Sequence, residues 1–497
     1  MNTFKAFAAV ACLSVALISC DTEVAPAPEV FAPSTQQVLS GAEVTLSFGY
    51  TAEGGFASSE ISNAQGGTAV VTTDGEDGAT AGTIEVTFTA GATAGAGSFT
   101  LTIIDANGNS DDATAVLTVE EELTIIQVDA NISSDVTWET GKTYILGGRI
   151  TVLDGATLTI QPGVVVKGEA GTGSSATALL VARGGMLDAQ GTAALPIIFT
   201  SVADEITPED VAAGNFASPN LTADVSGLWG GLIILGKAPI SASNDNDEDV
   251  SEVQIEGIPT SDTNGLYGGS ESADNSGTIS YISIRHGGSN IGSGNEINGL
   301  TLGGVGSGTT ISNVEIVGNQ DDGIEFFGGT VSISNVVVWN INDDGIDTDQ
   351  SWGGTLDNFV VITPNTAGAH CFELDGPEGS MEATHTITNG TIIASYSAEG
   401  QVARQAEDLI NTDANSLVNL SNLFFTNVLA NQLVNRTTAV GVTFTNIELN
   451  VPEADLNNYI EDGDAPAGIT AASTPSTGVG ADTSVLTWTW ASQDGQF

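Results

Sequence analysis

Between Val30 and Val119 the chain runs in short stretches of alternating apolar and polar residues. Examples are Val44-Thr45-Leu46-Ser47-Phe48, Thr83-Ile84-Glu85-Val86-Thr87-Phe88 and Ser98-Phe99-Thr100-Leu101-Thr102-Ile103. Period-two alternation broken by Gly, Ala, Asn and Asp predicts half-buried strands of an antiparallel β-sandwich. Further on, the alternation is organised by a recurring phrase: a polar residue, then Asn, then aliphatic residues. Its asparagines are Asn313, Asn335, Asn358, Asn389, Asn422 and Asn446, separated by 22, 23, 31, 33 and 24 residues. A base period near two dozen residues, with strand-like alternation and no helical run, predicts a solenoid in which each repeat is one coil of a β-helix.

Asn suits a fixed corner of such a coil. Equivalent side chains in stacked coils lie about 4.8 Å apart, so amides can bond along the stack, and Asn tolerates the left-handed backbone of a corner. The wording resembles the right-handed parallel β-helix superfamily, which includes pectate lyases and polygalacturonases. Trp138-Glu139-Thr140-Gly141-Lys142-Thr143-Tyr144-Ile145-Leu146, Gly155-Ala156-Thr157-Leu158-Thr159-Ile160-Gln161-Pro162-Gly163 and Leu195-Pro196-Ile197-Ile198-Phe199-Thr200-Ser201 resemble the first rungs of bacterial surface β-helices. Asp105-Ala106-Asn107-Gly108-Asn109 ahead of Ala115-Val116-Leu117-Thr118-Val119 resembles the last hairpin of an immunoglobulin-like module, without its Cys pair. The expected architecture is therefore all-β. An immunoglobulin-like sandwich (30–120) and a linker (121–137) precede a parallel β-helix of roughly ten to thirteen coils (138–450). A C-terminal cap (451–497) follows, with Ser484-Val485-Leu486-Thr487-Trp488-Thr489-Trp490 expected as a strand over the open end. Residues 202–228 and 240–278 read as loops leaving the coils.

The first nineteen residues carry Lys5 and an apolar run, as a secretory signal does. Leu17-Ile18-Ser19-Cys20 resembles the lipobox of bacterial lipoproteins, which implies cleavage before Cys20, acylation of Cys20 and an exported protein held on the outer membrane or cell surface. Residues 20–29 then read as a tether. Of three cysteines only Cys371 would remain, so no internal disulfide is expected. With 62 acidic and 9 basic side chains the net charge is −53, which disfavours nucleic acid and polyanionic substrates and favours cations.

Two coils align without gaps, Asp321-Asp322-Gly323-Ile324-Glu325 and Asp343-Asp344-Gly345-Ile346-Asp347, and His370-Cys371-Phe372-Glu373-Leu374-Asp375 continues them if the loop 364–369 absorbs extra residues. That register stacks Ile324, Ile346 and Phe372 inside and Glu325, Asp347 and Glu373 outside, with Asp349 and Asp375 two residues on. Asp322, Asp344 and His370 share a corner. No Lys or Arg occurs between Arg285 and Arg404 to offset these acids. An oxygen-only set suits Ca²⁺, so Glu325, Asp347, Asp349, Glu373 and Asp375 are candidate ligands, set against protonated carboxyls and a plain solvated corner. Asp343-Asp344 followed by His370 is also similar to the acid pair and His of polygalacturonase-like glycosidases, which would make Asp343, Asp344 and His370 acid–base groups. The flanking glycines and the Arg-x-Lys of those enzymes are missing. Trp352 and Tyr267, in Gly-rich text, are candidates for stacking on a sugar. The acidic run Asn244-Asp245-Asn246-Asp247-Glu248-Asp249 reads as a solvated loop or a weak cation site. Three functions remain open: a Ca²⁺-assisted binder of neutral polysaccharide or matrix, a carbohydrate-active enzyme, and a structural surface protein.

Overall fold

The computed structural model describes residues 25–256, 258–292, 296–362, 370–396 and 404–497. The signal segment, Cys20, the start of the tether and the loop 364–369 lie outside the described residues. The chain divides into two compact units, Met1–Leu123 and Thr124–Phe497. In the first, two four-stranded sheets pack face to face. One runs in the order Glu29–Phe31, Glu43–Thr51, Ala81–Ala90, Gly67–Thr73, and the other Gln36–Leu39, Ser110–Glu120, Gly95–Asp105, Phe56–Gln65. The alternating residues supply the filling: Phe48, Phe88 and Phe99 are fully buried, with ring centroids 5.7 Å and 5.9 Å apart. The expected last hairpin is present, and Asp105 tightens its turn by accepting from the Asn107 and Asn109 amides.

The second unit is a right-handed parallel β-helix. Twelve strands follow one another along its larger sheet, from Ile125–Val128 to Ile469–Ala471. A second sheet of eight strands, from Arg149–Val152 to Asn411–Thr412, forms another side. All six repeat asparagines have positive φ, between 55° and 59°. Each bends one strand of the larger sheet in two, so that pairing skips the Asn and resumes beyond it. The amides bond up the stack: Asn335 to Asn313 at 3.3 Å, Asn358 to Asn335 at 2.8 Å, Asn422 to Asn389 and Asn446 to Asn422 at 3.0 Å. Only Asn389 departs, donating instead to Asp357 at 2.7 Å. Inside, one continuous apolar core runs from Ile132 to Ile469.

Four expectations change. The segment 121–137 is not all linker: Ile125–Val128 already pairs with Thr143–Leu146, and Val136–Trp138 with residues 158–160. At the other end Ile469–Ala471 still pairs with residues 447–449, beyond the boundary at 450. The tail 472–497 does not close the open end with a strand. It runs back along the outside of the larger sheet, bonding Gly480 to Asn422, Ala481 to Thr391 and Asp482 to Asn358, and ends in a short helix, Trp490–Gln493. There Leu486 and Trp490 pack on Val317, Val337, Trp339 and Val360, while Trp488 joins Val165 and Ile198. Finally, the two irregular stretches pack onto the coils. Residues 206–216 contribute Ile206, Val211 and Phe216 to the patch under Trp488, around a helix Pro208–Ala212 closed by a Thr207/Asp210 capping box. Residues 240–267 lay Ile240, Ile255, Ile258 and Tyr267 on the outer face of Leu180, Ile233 and Leu235.

Candidate functional site

The acids stand on the eight-stranded sheet. Ile324–Phe327, Ile346–Asp349 and Phe372–Leu374 pair in parallel with Glu325 opposite Asp347 and Asp347 opposite Glu373. Ile324, Ile346 and Phe372 are buried in the core, so the intervening carboxylates point away from it. Thr301 precedes them in the column and Asn411 follows. Phe327 pairs with Asp349, which begins a shorter column toward Asp375.

The column faces away from the core without being solvated. Glu325 is only 6% exposed, and Asp347 Oδ1 is sealed from solvent and accepts no hydrogen bond. Burial pushes both carboxyls well above the usual range, and Glu256 beside Glu325, then Glu325 beside Asp347, push further. Burial likewise raises Asp349 and Asp321 to about 7, Asp343 and Asp375 to about 6, and Glu373 to about 8. Nearby like charges add to the burial in every case, Glu256 on Asp321, Asp344 on Asp343 and Glu373, Asp375 on Asp349 and Asp413 on Asp375.

One corner over, the backbone makes a second column. Gly299 donates to the Asp322 carbonyl, Gly323 to Asp344, Gly345 to His370 and Cys371 to Asp408, so Asn298, Asp322, Asp344, His370 and Asp408 follow one another rung by rung. Each carboxylate also reaches the next rung: Asp344 N–H donates to Asp322 Oδ1 at 3.0 Å, and His370 N–H donates to Asp344 Oδ1. The His370 ring closes on the same oxygen through Nδ1 at 2.9 Å. The two columns approach each other. Ligand atoms of Asp322, Glu325 and Asp347 lie within 4.8 Å of one another, as do those of Asp321, Asp322 and Asp343, and those of Asp344, His370 and Glu373. Asn298, 1% exposed, donates to Glu325 and leaves its own Oδ1 buried without a partner.

Two expected site residues, Trp352 and Tyr267, do other work. Trp352 is fully buried; its indole stacks on Phe326 at 3.9 Å and donates to the Val331 carbonyl at 2.9 Å, so it presents no face to a sugar. Tyr267 is 2% exposed, with its hydroxyl on Gln350 at 3.0 Å, and pins the inserted loop to the coils. Cys371 is buried in the core beside Phe372, and burial raises its thiol pKa. His286 is a buried corner with φ 57°, bonded to the Val225 carbonyl. The acidic run is a hairpin turn in which Asn244 accepts from Asn246 and Glu248, and Asp249 accepts from Ser380.

A family model described as a pectate-lyase-like β-helix domain matches residues 130–493, well over half of the chain. The chain belongs to the pectate-lyase-like β-helix family. Membership fixes the coil and says nothing of which residues act on what. No curated protein matches the chain in sequence. Among solved structures it is similar to a family 28 exopolygalacturonase of Yersinia enterocolitica, at 11% identity over 79% of this chain and 84% of that one. The TM-score of 0.14 is too low to bear on fold or activity.

The sequence reading missed Asn298 and Asn411 as members of the two columns, and Asp321 and Glu256 as their charged neighbours. Asp321 and Asn298 had a signal: the 22-residue offset sets Asp321 beside Asp343, and pairing of Leu300 with Ile324 sets Asn298 above Asp322. Glu256 and Asn411 had none, since insertions separate them from the repeat.

Proposed function

We propose that this is an exported surface protein, lipid-anchored at Cys20 to the outer membrane, whose acidic face binds Ca²⁺ and through it a neutral glycan or matrix. The observation that carries the reading is Asp347 Oδ1, a buried carboxylate oxygen with no donor, beside Glu325 and Asp322, the Glu325 carboxylate accepting in turn from Asn298, whose own Oδ1 is orphaned. Buried acceptors without donors are expensive, and a cation is the ligand that satisfies several at once. The donor set is oxygen only, as Ca²⁺ prefers. A net charge of −53 argues against a polyuronate partner and for a neutral one. Calorimetric titration of the chelator-stripped protein with Ca²⁺ tests this, alongside a Glu325→Gln/Asp347→Asn/Glu373→Gln variant. Binding below about millimolar that the variant loses is the expected result; no binding by either protein overturns it. Glycan arrays probed with and without Ca²⁺ then read the partner.

One observation favours a second reading, a glycan hydrolase. Asp344 holds His370 at 2.9 Å, and Asp343, raised to about 6 by burial and by Asp344, can still donate a proton in mildly acidic solution. Release of reducing ends from neutral polysaccharides, lost in Asp343→Asn, would establish it.

A further inference from the structure

The cluster one rung beyond Asp347 is chemically unlike the others because it contains an imidazole. We propose that Asp344, His370 and Glu373 form a second metal position, suited to a first-row transition dication of the Zn²⁺ or Mn²⁺ class and not to Ca²⁺. Three observations carry this, and none depends on the oxygen-only position being occupied.

The first is the orientation of the ring. His370 Nδ1 lies 2.9 Å from Asp344 Oδ1, an oxygen already anchored by the His370 backbone N–H, so the ring is held in one orientation with Nε2 turned away from Asp344. A carboxylate behind an imidazole is the arrangement that orients metal-binding histidines and raises their basicity.

The second is what Nε2 faces. Its neighbour is the Asn411 amide, 3.4 Å away, and the same Nδ2 reaches Glu373 Oε1 at 3.3 Å. The amide thus makes only long contacts to both groups, each beyond the usual 2.7–3.2 Å of an N–H···O bond. The other end of the amide is held no better: Asn411 Oδ1 accepts from Asn435 at 3.3 Å and from Arg436 at 3.4 Å. A dication between Nε2 and Glu373 would take the place of these long amide contacts.

The third is position. The ligand atoms of the three residues lie within 4.8 Å of one another, so one ion can reach them all. The chain has three histidines; His286 and His385 are buried, and His370 alone belongs to an acidic cluster. Imidazole with carboxylate selects the transition series, whereas Ca²⁺ takes oxygen almost exclusively.

The test uses the full chain stripped by chelator and titrated with Zn²⁺, Co²⁺ and Ca²⁺. Expected are a Zn²⁺ site that a hundredfold excess of Ca²⁺ does not empty, and a visible Co²⁺ spectrum reporting nitrogen ligation. His370→Gln should weaken Zn²⁺ at least about tenfold and abolish that spectrum while leaving Ca²⁺ affinity unchanged. Asp347→Asn should do the reverse. Unchanged Zn²⁺ affinity in His370→Gln, with the variant's tryptophan fluorescence native, overturns the proposal, as does displacement of Zn²⁺ by Ca²⁺ in the wild type. If Asp347→Asn leaves Ca²⁺ binding intact, the oxygen-only reading fails and the His370 position stands.

Discussion

Asp321 and Asp349 allow the cost of the uncompensated acidic face to be measured. Burial first, then Glu256 and Asp343, raises Asp321 from 3.8 to about 7; burial, then Asp375 and Glu378, does the same to Asp349. A carboxyl whose folded pKa is raised stabilises the fold while it holds its proton. The contribution is complete below the unfolded value and is lost as pH rises through the folded one. Between pH 6 and pH 8 each such group gives up on the order of 1 kcal/mol, or about 2–3 kcal/mol for the two. The perturbation is Asp321→Asn/Asp349→Asn, which keeps the shape and removes the titration. His385, held neutral by burial with its pKa lowered to about 3, pulls stability the other way as pH falls, but it is common to both proteins and cancels in their difference. All six tryptophans lie beyond Leu123, so their fluorescence follows unfolding of the β-helix unit alone. In chelator, denaturant titrations should show the variant gaining about 2–3 kcal/mol on the wild type from pH 6 to pH 8. Parallel pH profiles for the two proteins would refute the reasoning.

Other perturbations probe the scaffold that fixes the site. Asn358→Ala removes an amide that donates to Asn335 at 2.8 Å and accepts from Asp482 at 2.7 Å, and puts Ala at φ 56°; about 2–4 kcal/mol should be lost by denaturant titration, with Asn358→Gly recovering the backbone share. Trp490→Ala should cost about 3–5 kcal/mol, since the ring packs on Trp339 at 5.7 Å and covers the Arg285 guanidinium at 4.9 Å, and limited proteolysis should then cut the tail while the coils persist. Trp352→Ala should cost a similar amount of stability, whereas Tyr267→Phe should cost about 1 kcal/mol, the worth of one hydrogen bond; a glycan affinity that fell in either variant without loss of fold would contradict their burial.

What the sequence made legible follows from what a repeat can encode. The Asn phrase marks a corner because the left-handed backbone there tolerates few residues, and its spacing sets the rung register. Gap-free alignment of Ile324 with Ile346 therefore placed Glu325 over Asp347 and Asp322 over Asp344. Burial of that column was hidden, because the neighbour that presses on Glu325 is Glu256, in a loop that leaves the coil and returns. Trp352 misled through its setting. Gly353 and Gly354 read as an exposed loop, but a Cβ at Gly354 would lie 2.6 Å from the Trp352 indole nitrogen, so the glycine is there to let the ring turn inward. The alternating Trp and Thr of the tail read as a strand; instead Thr489 accepts from Ser492 N–H at 3.1 Å and starts a helix, and the two tryptophans reach separate patches.

The two ladders on this β-helix obey one rule with opposite results. Stacking at about 4.8 Å brings each side chain against its own kind. An amide carries donor and acceptor together, so an Asn column can bond itself, as the 2.8–3.3 Å contacts between repeat asparagines show, with one break where Asn389 donates to Asp357. A carboxylate is acceptor only, so Glu325, Asp347 and Glu373 cannot satisfy one another and must find protons or cations. The column is bounded by Thr301 on one side and Asn411 on the other, both neutral. The unsatisfied stretch is therefore finite, three carboxylates long, and local to the rungs where Asp322, Asp344 and His370 add their ligand atoms from the adjacent corner. A charged solenoid face could carry acids anywhere; confinement to these rungs is what makes the acidic column the candidate site.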